Sequence, residues 1–369
     1  MGNQYLVTGG LGFIGRALCR ELLNAGYRVR VLDALIDQVH GGKVPDLDER
    51  VDFVHGDVRD HEAVRRAIDG VEGVFHLAAE VGVGQSMYEI ERYTSGNDVG
   101  TAVLLQELID KPVRRIVVAS SMSVYGEGLY ETDQGARVSN ARRSPSRLKQ
   151  GLWEPTASDG SDLRPIPTDE SKPVDLASIY ALTKYCQERA VQIFGEAYGV
   201  ETVALRLFNV FGAGQALSNP YTGVLANFAS RLMNGQSPTI FEDGQQRRDF
   251  VHVADVARAF RLAMEKPEAA GHTINIGSGR AYAISEVATL LAEAMGAPQI
   301  KPEILGKART GDIRNCFSDI SRARQFLGFE PRFLLEDSLS EFVAWVKAET
   351  AHDRNSQMRR ELETRGLVA

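Results

Sequence analysis

The chain has 369 residues, 43% of them hydrophobic, enough to bury a large core and long for one domain, so a main domain with a smaller lobe is predicted. A formal net charge of −7 with no basic stripe argues against a nucleic-acid partner. Three scattered cysteines, Cys19, Cys186 and Cys316, argue against a disulfide framework and suit a reducing compartment; with no leader before the first strand and no 18-residue apolar run, a soluble cytoplasmic protein is predicted.

Residues 4–8 read as a short buried strand, and Thr8-Gly-Gly-x-Gly-Phe-x-Gly follows at once. Gly9 and Gly10 allow a sharp turn into an amphipathic helix over residues 13–25, whose apolar positions are Ile14, Ala17, Leu18, Leu22 and Leu23. A Cβ at Gly12 would hold a dinucleotide pyrophosphate off the backbone, and one at Gly15 would push the helix off the sheet. The first turn, with Phe13 and Ile14, offers free N–H groups and a positive dipole end to phosphates. A second strand over 28–32 ends at Asp33, about 20 residues after the loop, where an acid accepts from ribose hydroxyls and repels a 2′-phosphate. NAD is therefore expected over NADP. The plain alternative is a tight turn with a solvated Asp33; the ordered succession of strand, helix, strand and acid favours binding.

Strands over 51–55, 73–77 and 115–119 then alternate with helices over 61–68 and 97–109. This alternation predicts a doubly wound parallel sheet, an α/β fold of Rossmann type, with ligands at the carboxyl ends of its strands. Small or polar segments fall at those ends: Gly56-Asp-Val-Arg-Asp60, His76-Leu-Ala-Ala79 and Ser120-Ser-Met-Ser-Val-Tyr-Gly126. Further on, Tyr180 and Lys184 lie in Tyr-Ala-Leu-Thr-Lys on a helical pattern over 178–194, a spacing that places both on one face. That pair is common by chance, but beside a dinucleotide loop it implies redox chemistry at a nicotinamide. A free tyrosine titrates near about 10, so a phenolate near neutral pH would need the Lys184 ammonium and the positive ring beside it.

Taken with Arg206-Leu-Phe-Asn-Val-Phe-Gly212, Arg248-Asp-Phe-Val-His-Val-Ala-Asp255, Asn275-Ile-Gly-Ser-Gly279 and Gly311-Asp-Ile-Arg314, these motifs resemble the extended short-chain dehydrogenase/reductase family. The resemblance spans nearly the whole chain. It points to the nucleotide-sugar 4-epimerase branch and, within it, to the bacterial dTDP-L-rhamnose 4-epimerase group. It implies a Rossmann domain over residues 1–205 and 239–268, a smaller α/β substrate-binding lobe over 206–238 and 269–349, and a helical tail over 350–369. Ser121, Tyr180 and Lys184 would be catalytic. The cofactor would meet Gly9, Gly12, Phe13, Ile14, Gly15, Asp33, Asp57, Val58, Leu77, Ala78, Ala79 and Asn97, besides Tyr180 and Lys184. A nucleotide-diphosphate sugar would meet Glu80, Gln85, Ser86, Ser121, Ser123, Asn209, Arg248, Arg309 and Arg314. Plainer roles stand beside several of these. Asp57 and Asn97 could cap helices, Ser120 and Ser123 could satisfy local backbone, and Arg314 could pair with Asp312 or Asp319.

Relatives that dehydrate the sugar resemble one another in carrying Asp-Glu where this chain has Met122 and Ser123, so elimination lacks its acid and base. The resemblance thus implies NAD-dependent 4-epimerisation through a transient 4-keto sugar, on a dTDP-6-deoxyhexose or a UDP-hexose. An NAD-dependent 4-ketosugar reductase and a non-catalytic NAD-sensing regulator are the alternatives. A homodimer through helices around 97–109 and 180–194 is also implied. Cys316 stands where some 4-epimerases carry a large aromatic residue, which would leave room beside the sugar. Residues 129–166 form a longer connection than such relatives have, either functional or disordered. Its halves resemble a zinc ribbon without cysteines, so no metal is expected, and Trp153 would anchor a flap near the active-site mouth.

Overall fold

Residues 4–8 are buried at every position, which a strand satisfies only when both faces of its sheet are covered. The computed structural model describes residues 3–41, 47–215, 223–308, 312–348 and 364. Seven strands build the central sheet: β1 (Gln4–Thr8), β2 (Arg28–Asp33), β3 (Val51–His55), β4 (Gly73–His76), β5 (Arg115–Ser121), β6 (Glu201–Leu207) and β7 (Thr273–Ile276). They run parallel in the order β7-β6-β5-β4-β1-β2-β3. The winding reverses between β1 and β4, which opens a crevice at the carboxyl ends of these two strands.

Side chains alternate across the sheet. Tyr5 and Val7 join Leu18, Leu22, Phe75 and Phe260 in one apolar layer, while Leu6 joins Leu32, Val74, Leu104 and Val191 in the other. Helices Phe13–Asn24 and Val253–Glu265 cover the first face; His61–Ala67, Gly100–Asp110 and Ile179–Tyr198 cover the second. Each fully buried leucine in these layers contributes about 1.5–3 kcal/mol.

Two features differ from the sequence reading. The helix expected to open at Asn97 instead begins at Ile90, passes through a π-helical turn, Thr94–Val99, and continues as Gly100–Asp110, so Asn97 is interior to it and fully buried. The division into lobes also shifts. Residues 273–276, assigned to the smaller lobe, are the outer strand β7 of the main sheet, and Ile320, Ala323, Leu327 and Phe329 pack into the main core beside it. Conversely Ile240 and Phe250, assigned to the main domain, lie in the lobe's core with Phe211, Phe228, Tyr282, Leu291 and Phe342. The chain crosses between lobes more often than its motif order suggests. The predicted tail over 350–369 falls outside the described residues, apart from Thr364.

The insertion over 129–166 is folded. Leu129–Glu131 pairs antiparallel with Arg137–Val138 on one side and Arg164–Ile166 on the other, around Tyr130, Ala141 and Leu163. Trp153 is half-buried within it. Among the described residues no helix is long and apolar enough to cross a membrane.

Candidate active site

The crevice between β1 and β4 is lined by the glycine turn. Gly9 holds φ +68°, and a Cβ there would lie 2.9 Å from the Ala78 backbone, so the turn presses directly on the end of β4. A Cβ on Gly15 would come within 2.3 Å of the Gly9 carbonyl oxygen, which ties helix Phe13–Asn24 to the turn. Gly12 is different: an added Cβ would meet only the Gly9 oxygen, at 3.3 Å, so internal packing does not demand a glycine there. It is also the helix N-cap and brings no side-chain acceptor, leaving first-turn N–H groups of Phe13, Ile14 and Gly15 without a cap. A cradle kept clear at Gly12, with uncapped donors aimed across it, fits a dinucleotide pyrophosphate.

At the end of β2, Asp33 is 8% exposed. Its Oδ2 accepts from Leu11 N at 2.9 Å and its Oδ1 from Leu35 N at 2.9 Å, with His40 Nε2 at 3.5 Å from Oδ1. A carboxylate has about four acceptor positions, so capacity for ribose hydroxyls is left after the two backbone bonds. Beyond β3, Asp57 is held by Arg59, whose guanidinium lowers its pKa, while Asp60 rather than Asp57 caps the following helix. Val58 is buried under Gly100, where a Cβ would lie 2.5 Å from Val58 Cγ1. Leu77 and Ala78 donate their N–H groups to Thr8 Oγ1, both at 3.2 Å, which fastens the His76-Leu-Ala-Ala79 segment to β1.

The proposed catalytic residues converge. Ser121 closes β5 and caps the 3₁₀ turn Met122–Tyr125, its Oγ accepting from Ser123 N at 3.2 Å and lying 3.1 Å from Ser123 Oγ. Helix Ile179–Tyr198 starts at the N-cap Ser178, so Tyr180 and Lys184 lie in its first two turns. Burial pushes the Tyr180 phenol up, and a hydrogen bond with Ser121 pulls it back down. Lys184 is buried, which drives its ammonium down to about 7, with the Glu188 carboxylate opposing. Its Nζ donates to Gln187 Oε1 at 2.7 Å. Ser121 opposes the rise that burial imposes on Tyr180, and Lys184 is turned to Gln187.

Gln187 opens a buried polar network that sequence reasoning missed. Its Nε2 donates to Thr101 Oγ1 at 2.9 Å and to the Ala78 carbonyl at 3.3 Å. His76 sits between Thr101 Oγ1 at 2.9 Å and Thr8 Oγ1 at 2.8 Å. Burial, and secondarily the Lys184 charge, press the His76 imidazole down to about 3, so the ring is neutral. Lys184 is thus joined by side chains to the strand that carries the glycine turn. The available signal was Gln187 three positions after Lys184, on one helical face.

Several expected ligand contacts are engaged within the protein. Glu80 pairs with Arg92 at 2.7 Å. Gln85 is buried against Gln38, Glu89 and Tyr93. Ser86 Oγ accepts from the backbone N of Tyr180 at 3.0 Å, so Ser86 positions the tyrosine. Asn97 is used up: Oδ1 accepts from Glu80 N at 2.6 Å, and Nδ2 donates to Thr183 Oγ1 at 2.9 Å and to the Glu80 carbonyl at 3.2 Å. Its amide therefore clamps helix to strand end and is not turned to a cofactor. Arg314 is buried against Asp243, Glu242 and Glu154, neither of the partners expected from sequence. Asn209 begins the strand Asn209–Phe211 and donates its N–H to the Asp249 carbonyl at 3.0 Å. Arg248 donates to the carbonyls of Arg247, Ile313 and Arg314. Arg309 lies outside the described residues.

The Asn275-Ile-Gly-Ser-Gly279 motif is explained by Asp249. This buried carboxylate accepts from Ser278 N and Oγ, both at 2.7 Å, from Gly279 N at 2.9 Å and from Ser318. A Cβ on Gly277 would strike Ser318 Oγ at 2.2 Å. Behind the site Glu188 binds Arg206 through two bonds of 2.6 and 3.0 Å, and the guanidinium lies 4.7 Å over the Tyr125 ring.

Residues 5–148 and 155–277 match the description of the NAD dependent epimerase/dehydratase family. Over 354 residues the chain is 34% identical to the dTDP-L-rhamnose 4-epimerase of Burkholderia thailandensis, covering 94% of this chain and 96% of that protein. The UDP-glucose 4-epimerase of Thermotoga maritima, solved with UDP-glucose, superposes with a TM-score of 0.76 at 31% identity, over 94% of this chain and 99% of that one. The Thermus thermophilus UDP-glucose 4-epimerase in complex with NAD gives a TM-score of 0.76 at 27% identity, over 94% and 100%. The glycine cradle, Asp33, Ser121, Tyr180 and Lys184 all fall within the matched stretches, and the chain belongs to the NAD-dependent epimerase/dehydratase family.

Proposed function

We propose that this protein inverts C4 of a nucleotide-diphosphate sugar, a dTDP-6-deoxyhexose or a UDP-hexose, using NAD held in the β1–β4 crevice. The observation that carries the reading is the turn Met122–Tyr125, which opens at Ser121 on the end of β5 and holds no carboxylate as far as Gly126. Glu127, the first acid after that turn, is occupied by Arg143, Tyr130 and the backbone N–H of Arg314. Elimination therefore lacks its acid and base, whereas oxidation and return at one carbon need, besides NAD as hydride acceptor, only a proton acceptor and an oriented oxygen. The likeness to a dTDP-L-rhamnose 4-epimerase and to UDP-glucose 4-epimerases supports both substrate classes.

In this reading Tyr180 takes the proton of the C4 hydroxyl and gives it back, and Ser121 holds the same oxygen in line. NAD held there would serve as the two-electron acceptor for the C4 hydrogen and as its donor on return. Asp33 would hold the adenosine ribose, and the first-turn N–H groups at Gly12 the pyrophosphate. Arg248 would present its guanidinium to the substrate diphosphate, a geometry suited to bidentate oxygens. Because oxidation and reduction occur at one carbon, no external reductant is consumed.

We also propose a homodimer. Val99 at 48%, Leu182 at 42% and Ile193 at 54% exposure leave apolar side chains on the two neighbouring helices of one face, which a second copy would cover. The free cysteines suit a cytoplasmic setting.

The test is incubation of the purified protein, with no added cofactor, with a panel of dTDP- and UDP-sugars followed by NMR. Appearance of the C4 epimer is expected. Turnover that proceeds only with stoichiometric loss of added NADH would replace this reading with a 4-ketosugar reductase.

A further inference from the structure

Two charged side chains of the insertion over residues 129–166, Arg143 and Glu154, reach across to the far lobe. Arg143, buried in the insertion, places Nε 3.0 Å from Glu127 Oε1, donates Nη1 to Glu242 Oε1 and donates Nη2 to the carbonyl of Asp312. Glu154, also in the insertion, accepts from Arg314 Nε at 2.7 Å and from Asn315 Nδ2 at 3.1 Å. Glu127, just before the insertion, accepts from the backbone N–H of Arg314 at 2.9 Å and of Asn315 at 3.3 Å. Asp312, Arg314 and Asn315 are thus held by Arg143, Glu127 and Glu154. The same backbone receives Arg248, which donates to the carbonyls of Ile313 and Arg314, the latter at 3.0 Å. Strand pairing of Arg248 with Cys316 completes the seat.

We infer that the insertion is a strut that sets the Arg248 guanidinium for the substrate's diphosphate, with Arg143 as its main positioning residue. The inference rests on the proposed role of Arg248. Arg143 touches no reacting group. It fixes the 312–315 backbone, which in turn orients Arg248, and so lowers the ordering cost of binding. Ser121 and Tyr180 belong to β5 and helix Ile179–Tyr198 and not to this seat, so the chemical step should not respond.

Arg143→Met alone would leave buried Glu127 without its cation and Glu242 with Arg314 as its remaining one, so the decisive variant is Arg143→Met with Glu242→Gln, which removes one of those charges. Glu154→Gln is the milder companion. The measurements are bound NAD, kcat and KM for the nucleotide sugar, and the Kd of dTDP and of UDP by calorimetry. The expected result is full NAD content, kcat within about threefold of the parent, and KM and nucleotide Kd raised roughly tenfold in the double variant, less in Glu154→Gln. A folded, NAD-loaded double variant with unchanged Kd and KM would overturn the strut. So would a fall in kcat at constant KM. If the parent epimerises none of the sugars, the proposed activity fails, while the dTDP and UDP affinities still test the strut.

Discussion

Adding one methyl group at Gly12 and, separately, at Gly15 distinguishes a glycine kept for a ligand from one kept for packing. At Gly15 the new Cβ would sit 2.3 Å from Gly9 O, 2.6 Å from Gly10 Cα and 2.7 Å from Gly10 C, all backbone atoms. Relief requires moving the turn by about 1 Å, an overpacking cost of about 1–3 kcal/mol or more. The entropic gain of Gly→Ala returns only about 0.4–1 kcal/mol. Gly15→Ala should therefore lower the Tm of the cofactor-free protein by several degrees, at about 2 °C per kcal/mol for a chain of this size. At Gly12 the nearest atom is Gly9 O at 3.3 Å, and φ is −66°, which alanine accepts. Alanine is a poorer N-cap by about 0.5–1 kcal/mol, which the same entropic gain offsets, so the Tm of the cofactor-free protein should stay within about 2 °C. The methyl group would occupy the approach of the pyrophosphate, and NAD affinity should fall at least about tenfold, or 1.4 kcal/mol. Differential scanning fluorimetry and titration with NAD read the two effects separately. Gly12→Ala that binds NAD as tightly as the parent would refute the cradle.

Tyr180→Phe should reduce turnover by about 10²–10⁴, the range of general acid–base contributions, with NAD still bound; undiminished activity by NMR would remove the phenol from the mechanism. Asp33→Gly should weaken NAD and relax discrimination against NADP, and because Leu11 and Leu35 lose their acceptor it should also lower the Tm; an unchanged cofactor preference would show that another residue reads the ribose. Glu188→Ala leaves Arg206 buried without its carboxylate and should cost about 3–5 kcal/mol in denaturant unfolding; a loss below about 1 kcal/mol would contradict a buried pair. Lys184, held down to about 7 by burial, is charged when unfolded and loses protons on folding, so it lowers stability most below pH about 7 and less as pH rises toward the ordinary lysine value. Gln187→Glu should restore the ammonium, moving the Lys184 titration upward in a ¹³C-labelled lysine NMR experiment; a titration left near 7 would contradict the 2.7 Å contact.

What the sequence shows and what it hides divide along distance in the chain. The glycine turn, the helix after it and the run of buried strands are written in spacings of a few residues, and β1 to β5 fall within a residue or two of their expected ends. Ser121, Tyr180 and Lys184 could be proposed from sequence because each belongs to a local motif at a strand end or on one helix face. Arg314 was not, because its partners Asp243 and Glu154 lie 71 and 160 residues away. Asn97 misled because its sequence position fits a cap, whereas a π-helical turn carries the helix through it and buries the amide against Glu80 and Thr183. Likewise the insertion's polar composition left open whether it was functional or disordered, because the partners that Arg143 and Glu154 find, Glu242 and Arg314, are distant in the chain.

The central claim is that the C4 hydrogen leaves and returns to the same carbon while Tyr180 shuttles the hydroxyl proton. A nucleotide sugar deuterated at C4, incubated in ordinary water with the purified protein and no added cofactor, tests it directly. Mass spectrometry and NMR should find deuterium retained at C4 in both epimers; inversion accompanied by loss of that deuterium to solvent would contradict this mechanism.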